Sequence, residues 1–237
     1  MNARITALQQ MKRDGRKIMA AVVYDYQLAQ IVDRAGVDIV SVGDSVGTVL
    51  WGLASDGDLT TEQMLLACRA VRRGVSHAIV SCDLPESADP VTAARQVVEV
   101  GGADLVKVEA APEVIRGIVA QGIPVWAQLS SATTTIDDLV ARAQALQAAG
   151  ASLIDFRHSG PVAGPAVVQA VTIPVIGGLG GGPWLDGRVR AIVNAIGYTA
   201  SALDDNADRY VNVAQITFDA VTAYADDVRS GRQIRGK

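Results

Sequence analysis

Aromatic residues are scarce in this chain, at 4% of 237 residues, with two phenylalanines and three tryptophans. A hydrophobic core must therefore be assembled from Ala, Val, Ile and Leu. Cysteine is scarcer still: Cys68 and Cys82 cannot form a disulfide framework, and neither sits in a C-x-x-C spacing. No apolar run approaches the roughly 20 residues of a membrane span. The opening MNARITALQQMKRDGRK is polar and basic and lacks the apolar segment of a secretory signal. No basic stripe is present either, and the formal net charge is −4, so nucleic acid is not an expected partner. What the chain does have is 49% hydrophobic and 19% charged residues, which excludes a disordered tail. A soluble, cytoplasmic globular protein without membrane or nucleic-acid partners is expected.

Short apolar runs alternate with helical stretches along the whole length. Strands are expected at Ile18–Tyr24, Asp38–Val42, Ala78–Cys82, Leu105–Glu109, Val125–Leu129, Leu153–Phe156 and Val175–Gly177. Several are near-continuous β-branched and aliphatic runs, as in strands covered on both faces of a parallel sheet. Helices are expected at Gln27–Ala35, Thr61–Arg73, Pro90–Val100, Pro112–Gln121, Thr135–Ala149, Val162–Ala170 and Arg188–Ala195. The segments AGVD (35–38), RGVS (73–76), GGAD (101–104), QGIP (121–124) and AGAS (149–152) each set a glycine after a helix and before a strand. Repeated βα units follow, with a degenerate eighth near Ile196–Ala200 and a long final helix from about Asp208 to Ser230. The pattern predicts one domain over residues 1–237, a (β/α)8 TIM barrel with a long C-terminal helix; a doubly wound open sheet is the competitor.

In such a barrel the chemistry gathers where strands end. The candidates there are Asp25, Asp44 with Ser45, Asp83, and Lys107 with Glu109. Period 2 sets Lys107 and Glu109 on one face, and neighbouring strands lie about 5 Å apart. Asp44, Asp83 and Glu109 are then expected to converge at one rim. Carboxylates that close repel unless a cation sits among them, and Mg²⁺ suits all-oxygen ligands while keeping some water. Lys107 offers a positive charge to an anionic substrate. The plainer alternative is that each Asp caps a helix or an Asx turn. The GGLGGG segment (177–182), beginning at Gly177, reads either as an anion-binding loop or as a flexible turn. Cys82 is expected to pack outward, His77 to lie at the inert end, and His158 at the active rim. Trp51 and Trp184 fall in βα loops, where they either cover a substrate or pack in the core.

The segments VVYDYQLAQIVDRAGVDIVSVGDSVG (22–47), TTEQMLLACRAVRRG (60–74), CDLP (82–85) and GADLVKVEAA (102–111) resemble the ketopantoate hydroxymethyltransferase family. The likeness resumes at GIPV (122–125), LQAAGASLI (146–154), IPVIGG (173–178) and LDGRV (185–189), and closes with RYVNVAQITFDAVTAYADDVRSG (209–231). It implies a TIM barrel of the isocitrate lyase and phosphoenolpyruvate mutase superfamily. It also implies transfer of a one-carbon unit from methylenetetrahydrofolate to 3-methyl-2-oxobutanoate through a metal-stabilised enolate. Asp44 and Asp83 would bind Mg²⁺, Glu109 would stand beside it through water, and Ser45 and Lys107 would hold the 2-oxo acid. Homo-oligomers are implied as well.

The chain departs from the family in one half of the site. Arg157 occupies the place of the family's glutamate base at the end of strand 6, and arginine stays protonated in proteins. Gln128 stands where the family has a histidine, and SSATTTIDD (130–138) replaces a longer loop on the folate side. The expectation is a Mg²⁺-dependent enzyme that makes or breaks a C–C bond on a 2-oxo acid. Arg157 would hold a second anionic group, and His158 or Tyr24 would move the proton. The unmodified family reaction and a non-catalytic barrel that binds an oxo acid are the alternatives.

Overall fold

The computed structural model describes residues 3–86, 89–130, 135–178 and 181–233. Eight strands close into a barrel in chain order: β1 (Ile18–Val22), β2 (Ile39–Val42), β3 (Ile79–Asp83), β4 (Leu105–Val108), β5 (Val125–Ser130), β6 (Leu153–Arg157), β7 (Val175–Gly177) and β8 (Gly187–Ala191). The neighbouring strands from β1·β2 to β7·β8 pair in parallel. An Ile18 N–H to Asp186 carbonyl bond of 2.9 Å ties the last strand to the first. There Gly187 is required, since a Cβ would lie 2.1 Å from the Ile18 carbonyl oxygen. The open sheet is thereby excluded.

Helices α1 (Ala3–Arg13), α2 (Tyr26–Arg34), α3 (Val46–Leu50), α4 (Thr61–Gly74), α5 (Pro90–Glu99), α6 (Pro112–Val119), α7 (Ile136–Ala148) and α8 (Gly160–Ala170) alternate with the strands or precede them. Local chemistry sets their starts. Asp25 accepts from the N–H groups of Gln27 and Leu28, Thr60 and Gln63 form a capping box, and Asp89 precedes Pro90. At the stops, Gly36, Gly102, Gly122 and Gly150 take φ between +77° and +98°, a left-handed turn open to glycine. Gly74 differs: it is the last residue of α4, and a Cβ there would lie 2.7 Å from the Tyr26 carbonyl oxygen. Its smallness serves the α2–α4 contact rather than a turn.

The last unit departs from expectation. Residues expected as a helix, Arg188–Ala195, begin in strand β8, and only one turn, α9 (Ile192–Ala195), follows. The expected degenerate strand near Ile196–Ala200 leads instead into a 3-10 turn at Ala200–Leu203. The reason is one-sided burial: Val189 is buried while Arg188 and Arg190 are exposed, so this strand lacks a two-faced apolar run.

By compactness the chain divides into Met1–Arg190, which holds the barrel, and Ala191–Lys237. The second unit carries α9 and α10 (Val213–Arg229), capped by Asn212, whose side chain accepts from the Gln215 N–H. Helix α10 buries none of its residues and exposes Ile216, Phe218, Val221, Tyr224 and Val228. Among the described residues no helix is long and apolar enough to cross a membrane.

Candidate active site

Register and period 2 define the barrel interior. Val22 pairs with Ser41, Ser41 with Ser81, Asp83 with Lys107, Lys107 with Trp126, and Gln128 with Asp155. Side chains at matched positions share a face, so Asp83, Lys107, Gln128 and Asp155 project inward, toward the end of the barrel that carries function. Cys82, in register with Val42 and Val106, points outward toward Cys68 and is buried, as expected.

The interior is polar at this end. The Lys107 ammonium lies 3.0 Å from Asp83 Oδ2 and 3.9 Å from Asp155 Oδ2, and 5.5 Å from the centre of the Trp126 ring. Asp83 and Asp155 are each 2% exposed. Burial pushes the Asp83 carboxyl up to about 6, aided by Asp44 and Asp155 and opposed by Lys107. Burial alone would lower Lys107, but the two aspartates outweigh it and keep its ammonium above the ordinary lysine range. Asp83 Oδ1 is buried with no hydrogen-bond partner. An orphaned buried carboxylate oxygen is costly, by about 1–3 kcal/mol or more, unless something positive meets it.

On the β1–β2 side, the Tyr24 hydroxyl and Ser45 Oγ lie 2.9 Å apart, and Asp44 Oδ1 accepts from the Ser45 N–H at 2.8 Å. Gly43 lets β2 turn close to β1, since a Cβ there would lie 2.8 Å from Val22 Cγ1. Tyr24 is buried, and burial raises its pKa against the Ser45 hydrogen bond. Glu109 lies one residue past β4 and is exposed. Among the described residues no group of three His, Cys, Asp or Glu forms a ready ion cage. Asp44 and Asp83 are near enough to influence each other electrostatically, and Asp83 contributes a buried oxygen without a partner. That donor set fits a hard cation that retains water and leaves room for substrate oxygens.

On the β6 side, Arg157 Nε lies 3.5 Å from Asp155 Oδ2, and the Gly178 N–H donates to Asp155 Oδ1 at 3.5 Å. His158 is exposed, with φ +55°, a left-handed backbone unusual for a residue with a side chain. Gly177 ends β7, where a Cβ would lie 2.7 Å from the Phe156 carbonyl oxygen, so packing alone explains that glycine. Leu179 and Gly180 of the glycine segment lie outside the described residues, as do residues 131–134 of the segment after β5. Trp184 packs on Gly164 and donates to Ser159 Oγ at 3.0 Å, while Trp51 is exposed. Asp25 caps α2 and His77 lies at the opposite end of the barrel, paired with Asp33. Asp155 was not among the expected site residues. Its signal was legible, because it is the one charged residue within the apolar run LIDF and stands on the inward phase two residues before Arg157.

A match to the ketopantoate hydroxymethyltransferase family spans residues 2–233. The chain belongs to this family. A 3-methyl-2-oxobutanoate hydroxymethyltransferase of Alkalilimnicola ehrlichii is 33% identical over 94% of the chain and 89% of its own length. One from Chloroflexus aurantiacus is 32% identical over 98% and 90%. The fold is shared with a phosphonopyruvate hydrolase solved with oxalate and Mg²⁺, at a TM-score of 0.66 and 17% identity over 97% of this chain and 88% of that one. It is also shared with 2,3-dimethylmalate lyase, a phosphoenolpyruvate mutase/isocitrate lyase superfamily member, at 0.63 and 18% over 96% and 86%. As a member of the hydroxymethyltransferase family, the chain is an enzyme of the C–C bond transferase and lyase kind acting on a small 2-oxo acid. The non-catalytic alternative is set aside by that membership.

Proposed function

We propose that this enzyme forms or breaks a C–C bond on a 2-oxo acid through an enolate, with Mg²⁺ held by Asp44 and Asp83 and joined by Glu109 through water. The observation that carries the reading is the orphaned Asp83 Oδ1 beside the buried Lys107 ammonium. A bound cation would act as a Lewis acid toward the ketone oxygen. The chain's own groups then divide the remaining work. Lys107 and Ser45 hold the 2-oxo acid, Lys107 by charge and Ser45 by a hydroxyl steadied on Tyr24. Gln128, inward on β5, offers amide hydrogen bonds to the same substrate. Arg157, at the rim and partly exposed, presents its forked guanidinium to a second anionic group, which favours a substrate more acidic than 3-methyl-2-oxobutanoate.

The second reading is the family's own reaction, with methylenetetrahydrofolate as one-carbon donor, and the 33% identity to a named hydroxymethyltransferase favours it. Proton NMR in D₂O with Mg²⁺ separates the two. Exchange or breakdown of oxaloacetate in preference to 3-methyl-2-oxobutanoate supports the first reading, and folate-dependent ketopantoate formation supports the second. Neither exchange nor breakdown with either acid would refute enolate chemistry here. The exposed apolar row along α10 supports self-association into a homo-oligomer, which light scattering behind a sizing column would test.

A further inference from the structure

We propose that Asp155 is the group that takes and returns the proton on C3 of the 2-oxo acid, the task for which Arg157 is chemically unfit; this rests on the enolate reading above. Among the described residues the buried charged side chains are Asp33, Asp83, Lys107 and Asp155. Asp33 belongs to the far end of the barrel, where it binds the backbone ahead of β3. Asp83 faces Lys107 with one oxygen and offers the other to a cation. Asp155 is thus the remaining interior carboxylate at the active end.

Its position suits the task. Asp155 and Asp83 flank the one Lys107 ammonium, so a 2-oxo acid held by Lys107 would lie beside the Asp155 carboxylate. Its polar contacts are all long, at 3.5 Å to Gly178 N, 3.5 Å to Arg157 Nε and 3.9 Å to Lys107 Nζ. Asp33, by contrast, accepts from Ser76 N and Ala78 N at 2.9 Å and 2.8 Å. A carboxylate saturated by short bonds is a structural post, whereas one with unfilled lone pairs can accept a proton. A substrate anion that draws Arg157 to itself would loosen one of those contacts further.

The competitors are less suited. Arg157 and Lys107 are protonated cations. Gln128 has no titratable proton, and His158 is exposed on a left-handed backbone at the rim. The Tyr24 hydroxyl sits on the β1–β2 side, engaged with Ser45. In the step itself the C3–H bond breaks and an O–H bond forms on Asp155. The C–H electron pair becomes the C2–C3 double bond, and the ketone oxygen takes the charge. Return of the proton, or of a deuteron acquired from solvent, reverses it.

The test is C3 exchange of 3-methyl-2-oxobutanoate and oxaloacetate in D₂O with Mg²⁺, by wild type and Asp155→Asn, beside oxalate binding with Mg²⁺ by calorimetry. Asp155→Ser serves the same comparison should the asparagine variant not fold. The expected result is exchange lowered by at least about 100-fold, in the range typical of a lost general base, with oxalate affinity kept within about fivefold. A smaller fall in exchange would overturn the assignment while leaving the enolate reading in place. Joint loss of exchange and oxalate binding would also overturn it, since Asp155 would then position Lys107 and Arg157 rather than take the proton. Absence of exchange by the wild type would overturn the enolate reading, and this assignment with it.

Discussion

Asp33 and Asp83 are both buried aspartates, yet they lie at opposite ends of the barrel and in opposite chemical states. Asp33, near the end of α2, accepts from the N–H groups of Ser76, His77 and Ala78 and pairs with the His77 ring. Burial alone would raise its carboxyl, but those donors outweigh it and hold it at about 2. Asp83 has one cationic partner, one orphaned oxygen and further carboxylates nearby, and burial pushes it up to about 6. The difference teaches how to sort aspartates in this fold. A carboxylate that backbone donors fill holds the structure together, and one left unfilled beside a lysine awaits a ligand.

Exchanging the two roles is the sharpest way to break that contrast. Asp83→Asn is expected to lower turnover by about 10³-fold or more, the scale of a lost electrostatic or metal-binding group. It should also remove any Mg²⁺-dependent rise in Tm, without a comparable loss of thermal stability. Asp33→Ala should do the reverse. Three backbone N–H groups lose their acceptor, so chemical denaturation should show a loss of about 3 kcal/mol with steady-state rates nearly unchanged. Equal effects of both changes on stability would dissolve the distinction.

Smaller effects refine it. For Arg157→Glu, discrimination between dianionic and monoanionic 2-oxo acids in kcat/KM should shift by about 10- to 100-fold toward the latter. An unchanged ratio would show that Arg157 does not meet substrate. The pH dependence of Asp33 is smaller and has a definite sign. Its folded pKa of about 2 lies below the ordinary 3.8, so its stabilisation is complete above pH 4 and fades as pH falls through 2. That is a loss of about 2 kcal/mol, which urea titrations of wild type should show and those of Asp33→Ala should not. Least of all, Tyr24→Phe should lower kcat/KM by about 3- to 10-fold, since it deletes one hydrogen bond to Ser45.

Much of this protein was readable before its structure. Seven strands and the helix stops followed from apolar runs and glycines, because a barrel buries its strands on both faces and ends its helices in left-handed turns. Asp44, Asp83 and Lys107 were readable as strand-end residues, and the last two now meet as a buried pair. The eighth strand was missed because Arg188 and Arg190 are exposed on one side of it, which removes the apolar run that marks the others. Asp155 was missed for a different reason. Arg157 stands at the strand end, whereas a mid-strand aspartate becomes informative when the register of β4, β5 and β6 brings it near Lys107.

The amino-acid sequence by itself therefore determined the fold class, the family and the identity of the strand-end groups, since each depends on local periodicity or on motifs contiguous along the chain. Only the tertiary structure decided which carboxylates share one ammonium, which backbone amides fill Asp33, and which oxygen of Asp83 is left unpaired. Those are distances between residues far apart in the chain, fixed by barrel closure and strand register, and no local pattern encodes them.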